Sequence, residues 1–175
     1  MTIKKVVKMG NQQLATPSLP VTNFVDPMLK TMILDMRDTM LETKGVGIAA
    51  PQIGHNLRIV MFGFESNPRY PDEPAIPFTI LINPEITVIS DELVDGWEGC
   101  LSVPGLRGLV PRYKKIQYQG YDAEGRFFQR IAEDFHARVV QHECDHLDGI
   151  LYPRRMKDLQ YFGYEDELVD IIWPK

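Results

Sequence analysis

Near the C-terminus an apolar framework surrounds a run of polar and ionisable side chains. Phe135, Val139, Val140 and Leu147 flank Gln141-His142-Glu143-Cys144-Asp145-His146. The apolar positions recur at helical spacing and call for a buried helix starting near Asp134, running through His146 and ended by Gly149. A helix inside a core cannot leave two imidazoles and a carboxylate without partners. The fold therefore has to be built around whatever satisfies them. At 3.6 residues per turn, His142 and His146 share one face and can offer ring nitrogens to a single metal ion. Glu143 stands beside that face, placed to exchange a proton with water there. The blander reading, two helix histidines and an acid met by chance, leaves those buried nitrogens unexplained.

A metal centre that performs chemistry needs a third protein ligand and one position left open. The four histidines are His55, His136, His142 and His146, so none follows the pair. Glu165 and Glu167 lie about twenty residues downstream, where a glutamate completes one class of zinc peptidase. Cys100, in Glu98-Gly99-Cys100-Leu101-Ser102-Val103-Pro104-Gly105, is the competitor. Its thiolate suits a divalent transition metal, and its bland alternative is a small buried apolar residue. Spacing leaves both candidates open, and leaves open a purely structural ion. Cys144, two residues from each histidine, is turned about 200° from both and reads as packing. No Cys100–Cys144 disulfide is expected in a reducing compartment.

The rest of the chain supplies a setting. Its 175 residues, 44% hydrophobic and 25% charged, suit one domain, residues 1–175. A net charge of −5 argues against a general nucleic-acid binder, and no DNA partner is expected. There is no signal-peptide core and no 18-residue apolar run, so no membrane partner and a cytoplasmic location are expected. Asp26-Pro27 starts a first helix, with Leu29, Met32, Ile33, Met36 and Met40 as its core stripe, Asp35 mostly off it, and Gly45 as its stop. Strand-like runs follow at 57–64, 78–82 and 86–89. Pro68, Pro71, Pro74 and Pro77 mark a stiff loop between the first two. Residues 113–121 and 126–131 flank a hairpin turn at 122–125, and the acidic tail holds a short helix within 164–172. Strands in series with a long helix near each end predict an α+β fold.

Gly45-Val46-Gly47-Ile48-Ala49-Ala50-Pro51-Gln52-Ile53-Gly54 is weak evidence alone, since a glycine-containing turn between helix and strand needs no function. Taken in order, however, residues 45–52, Glu98-Gly99-Cys100-Leu101-Ser102 and Gln141-His142-Glu143-Cys144-Asp145-His146-Leu147 resemble the three motifs of bacterial-type peptide deformylases. Lys8-Met9-Gly10 and Leu109-Val110-Pro111-Arg112 extend the resemblance over essentially the whole chain. It implies antiparallel β-sheets packed around a central C-terminal helix carrying H-E-x-x-H, with one N-terminal helix. It also implies hydrolysis of the N-formyl group from the initiator methionine of nascent polypeptides, releasing formate.

By resemblance, Cys100, His142 and His146 are the metal ligands, and Glu143 is the general acid/base. Gln52 and the Leu101 N–H hold the oxygen of the tetrahedral intermediate. The metal implied is Fe2+, with Ni2+, Co2+ or Zn2+ able to substitute. The methionine pocket is assigned to Val139, the stem of Arg138 and residues near Ile48 and Leu101, with Val46 and Gly47 pairing the peptide backbone. Gly99 and Arg107 complete the expected substrate contacts. Glu98 and Arg112 are either a supporting ion pair or two solvated charges. Pro51, Ile48 and Gly105 depart from common family residues, and Gly105 puts peptide contacts near Arg107 in question. Glu165, Asp166, Glu167 and Asp170 make the tail acidic, so at most weak ribosome association is expected, and a monomer.

Overall fold

In the computed structural model, which describes residues 3–172, the first long helix begins where Asp26-Pro27 predicts. In α1 (Pro27–Glu42) the Asp26 carboxylate accepts from the Met28 N–H at 2.9 Å, and Pro27 occupies a position that needs no donor. Leu29, Met32, Ile33, Met36 and Met40 form the buried stripe, joined by Asp35 and Thr39. Burial of Asp35 differs from the helical pattern, and Lys4 explains it. The Lys4 N–H donates to Thr39 Oγ1 at 2.9 Å and its ammonium pairs with Asp35 at 3.1 Å, so the N-terminal segment covers that flank. The turn after α1 is also not made by Gly45. Lys44 takes the left-handed conformation, with φ of 53°.

β1 (Gly47–Ala49), β2 (Ile59–Phe64), β3 (Ile76–Cys100), β4 (Val103–Tyr121) and β5 (Phe127–Glu133) form one antiparallel sheet in chain order. β6 (Phe162–Tyr164) adds to β4 opposite Leu106, Arg107 and Gly108. Where the sequence predicts two short strands at 78–82 and 86–89, the structure has the single 25-residue β3. Asn83-Pro84 reads as a break but is absorbed as an irregularity in register. Asn83 turns left-handed, and its side-chain amide makes two 2.8 Å bonds to the Val21 backbone. Beyond it, residues 91–95 are exposed and pair with β4 as a two-stranded arm. With both faces in water, no hydrophobic alternation is required, so that stretch reads as loop. The tip of the arm is Leu101-Ser102, with Cys100 opposite Val103.

β5 passes directly into α2 (Asp134–Leu147), the chain turning at Asp134 with φ of 50°. All but Asp134 and His136 of this helix are buried. Alternate residues of β2 divide the interior: Ile59 and Met61 pack with α1, while Val60 and Phe62 pack with Ala137, Val140, Cys144 and Leu147 of α2. The α+β architecture is the one expected, an antiparallel sheet folded around α2. The acidic tail contains α3 (Val169–Ile172), but residues 162–164 within the approach to it are strand. Lys175 lies outside the described residues. Among those residues, no helix is long and apolar enough to cross a membrane.

Candidate active site

The two-residue tip of the β3–β4 arm presents Cys100 to α2. Cys100 Sγ and ring nitrogens of His142 and His146 lie within 4.8 Å of one another, with Sγ and His146 Nε2 3.3 Å apart. The Ser102 N–H points at the sulfur from 3.4 Å and Gln52 Nε2 from 3.5 Å. Glu165, the competing third ligand, is instead held by Arg107, and Glu167 is not part of the group. Cys144 points into the core between α2 and the sheet, and both cysteines are free. Burial pushes the Cys144 thiol well above its ordinary range, leaving it inert.

Glu98 orders the histidines. It lies in the interior, where Arg112 grips it twice, Nε to Oε1 at 2.9 Å and Nη2 to Oε2 at 3.0 Å. Arg138 Nη1 adds a third bond at 2.9 Å, and the His142 Nδ1–H donates to Oε2 at 2.8 Å. Burial opposes its charge, but Arg112 and the His142 hydrogen bond outweigh burial and hold the Glu98 carboxyl well below the usual range, so it stays charged. With Nδ1 committed as donor, His142 must present the lone pair of Nε2 toward Cys100 and His146. Burial opposes a proton on His142, yet Cys100 and Glu98 prevail and raise its affinity for one. A position that attracts a proton this way attracts a metal cation for the same reason. Arg112 also pairs with Asp145, which Arg155 grips through two bonds at 3.1 and 2.6 Å. The Glu98–Arg112 pair is thus formed. Spacing alone does not reveal the pairing of Asp145 with Arg112 and Arg155, although an acid three residues after His142 on a buried helix is itself a signal.

Glu143 is aimed differently. Its Oε2 is buried with no hydrogen-bond partner among the described residues. Burial, opposed by His142, pushes its pKa up to about 7. A Cβ at position 47 would collide with its Oε1, so Gly47 is the residue that admits this carboxylate. Gln52 is fixed in the opposite sense: its Oε1 accepts from the Ala49 N–H at 2.8 Å, which turns the amide NH2 toward Cys100 and Ser102. These groups border a cleft of about 520 Å³, open mouth included. It is walled by Val46, Gly47, Gly99, Leu101, Phe135, Arg138 and Val139, together with Tyr70 and Trp97.

Two expected contacts are not in that wall. Ile48 is fully buried on the other side of β1, packed with the α1 residues, because successive strand side chains alternate. Arg107 lies 1% exposed behind Gly99, tied to Glu165 and the Tyr70 hydroxyl at 2.9 Å each, and borders an adjoining hollow rather than this cleft.

A cysteine and two helix histidines sharing one locus, beside a lone buried carboxylate and an apolar cleft, define a metal-dependent hydrolase. Residues 3–161 match the family described as polypeptide deformylase. The chain is 59% identical over 166 residues to peptide deformylase 1 of Bordetella pertussis, covering 95% of this chain and 94% of that protein. Peptide deformylase 1 of Nitrosomonas europaea is 55% identical over the same length and shares. Among solved structures, class I type b peptide deformylase from Acinetobacter baumannii with Met-Ala-Ser bound superposes with a TM-score of 0.85 at 39% identity, covering 89% of this chain and 99% of that one. The chain belongs to the polypeptide deformylase family. It is a hydrolase of protein biosynthesis that removes the N-formyl group from nascent peptides.

Proposed function

We propose that Cys100, His142 and His146 hold one divalent ion, Fe2+ in the working enzyme, with Ni2+, Co2+ or Zn2+ able to replace it. The observation that carries this reading is the meeting of those three donors next to the partnerless Glu143 Oε2. The donor set fits a transition metal: one soft thiolate and two imidazoles, one of them oriented by a carboxylate. Bound there, the ion supplies Lewis acidity, bringing the pKa of water from 15.7 toward about 7 and polarising a carbonyl.

The remaining steps belong to the protein. Glu143 accepts a proton from water and returns it to the leaving amine, a role typically worth about 10²- to 10⁴-fold. A carboxyl whose pKa is raised to about 7 is matched to that exchange near neutral pH. The Gln52 amide, turned inward by Ala49, and the Leu101 N–H hold the oxygen as negative charge develops on it. The methionine side chain occupies the wall of Val139, Phe135, Leu101 and the Arg138 stem, and Val46 and Gly47 at the start of the edge strand β1 pair with the peptide backbone. Met-Ala-Ser in the Acinetobacter baumannii enzyme supports a product-like peptide in this cleft. Residues 1–175 act as one catalytic domain, a monomer in the cytoplasm, whose acidic tail limits ribosome contact to a weak one.

Anaerobic purification of the chain and of Glu143→Gln, followed by metal analysis and formate release from a formyl-Met peptide, tests the reading. The unaltered chain is expected to carry iron. The variant is expected to keep it while losing at least about 100-fold in rate. Full activity in Glu143→Gln would remove the role assigned to that carboxylate.

A further inference from the structure

The C-terminal segment, remote from all three motifs, reaches the outer wall of the cleft. β6 extends β4, and the Glu165 N–H then donates to Gly105 O at 2.9 Å. This seats the Glu165 carboxylate on Arg107, whose Nη2 donates to Oε1 at 2.9 Å. The same guanidinium donates from Nη1 to the Tyr70 hydroxyl and lies against Gly99, where an added Cβ would come within 2.8 Å of Nη1. Gly99, next to Cys100, and Tyr70 both line the cleft. Tyr161 meets the ring of Trp97, another wall residue, edge-on at 6.5 Å. Residues 161–165 therefore hold three parts of one wall. That wall continues: Arg69, Tyr70, Trp97, Phe135 and Arg138 also border a second hollow, whose lining includes Arg107 and Ile172.

We propose that Glu165 is a positioning residue for peptide binding: by fixing Arg107 it sets Gly99 and Tyr70, and makes the C-terminal segment part of the grip on residues that follow the formylated methionine. The proposal rests on the deformylase reading of the cleft. A carboxylate facing a guanidinium that is 1% exposed is a countercharge whose loss weakens the hold on that side chain. Tyr70 and Trp97 also border the second hollow, which shares Phe135 and Arg138 with the methionine wall but none of the metal-binding residues, so the effect is expected to grow with peptide length.

The test compares formate release from formyl-Met amide and from a formyl-Met tetrapeptide, with bound metal measured in the same samples. For Glu165→Gln, KM for the tetrapeptide is expected to rise about five- to tenfold with kcat and metal content unchanged, while KM for formyl-Met amide stays within about twofold. Arg107→Lys should reproduce the pattern, since an ammonium cannot fork between Tyr70 and Glu165. The double variant should add less than about twofold to either single change. An unchanged tetrapeptide KM, an equal rise for both substrates, or a parallel fall in kcat and metal would each overturn the proposal. A chain that releases no formate from either substrate would instead overturn the deformylase reading beneath it.

Discussion

α1 and α2 are helices of similar length, 16 and 14 residues, buried by opposite means. α1 packs one stripe of leucine, isoleucine and methionine and leaves Lys30, Leu34, Arg37 and Leu41 in water. α2 buries nearly its whole circumference, including Arg138, Gln141, His142, Glu143, Asp145 and His146. Polar groups inside a protein are costly unless paired, and most of these are paired elaborately. Arg138 alone bonds Glu98 and the carbonyls of Val94, Gly96 and Val110. Gln141 exchanges two bonds with the Tyr113 backbone. Glu143 Oε2 and His146 Nδ1 stand outside the pairing. Where a helix buries apolar residues the structure gains stability; where it buries polar ones at such cost, the unpaired remainder marks the chemistry.

Breaking the hub of the α2 network should have the largest effect. Glu98→Ala removes one carboxylate from Arg112, Arg138 and His142 together, and losing one partner of a buried ion pair costs about 3–5 kcal/mol. It also frees the His142 ring, for which a loss of about 10- to 100-fold in metal affinity is expected. Chemical denaturation with parallel metal titration would register both, and unchanged metal affinity would show that Glu98 does not orient the ligand. The corresponding cut in α1 is Met36→Ala, at a fully buried position. It should cost about 2–5 kcal/mol through lost transfer energy and a residual cavity. Metal content and formate release per folded molecule should not move. If they did, the two helices would not be the separable devices their packing indicates.

The same contrast decides what could be read before the fold was known. The α1 stripe, its Asp26-Pro27 start and the hairpin turn at Asp122–Gly125 follow from local rules, with Gly125 left-handed at φ of 77° as that turn requires. The H-E-x-x-H spacing put His142 and His146 on one face by helix geometry alone. Whether Cys100 or a tail glutamate joins them was beyond spacing, because it depends on a β-arm folding back across the sheet. Resemblance, not periodicity, favoured the cysteine. Long-range pairing also hid the length of β3, the burial of Asp35 under Lys4 and the capture of Glu165 by Arg107. The last two join residues 31 and 58 positions apart, and β3 relaxes the alternation that a half-buried strand shows.

The smallest effects lie at the helix starts, where the contrast can be sharpened without touching either interior. α1 begins with a side-chain cap, Asp26 accepting from Met28, whereas no side-chain cap bond is made by Glu133 ahead of α2. The Glu133 side chain is 53% exposed and makes a surface ion pair with Lys115. Such pairs are worth about 0–1 kcal/mol, while loss of an aspartate cap typically costs about 1 kcal/mol. Asp26→Ala should therefore lower the midpoint of thermal unfolding by about 2–4 °C in a chain of this size. Glu133→Ala should shift it by less than about half as much. α2 is held in register by burial on all sides and by ion pairs at Arg112, Arg138 and Asp145, so it does not depend on its first turn. A Glu133→Ala loss as large as that of Asp26→Ala would mean that α2 relies on local end contacts after all.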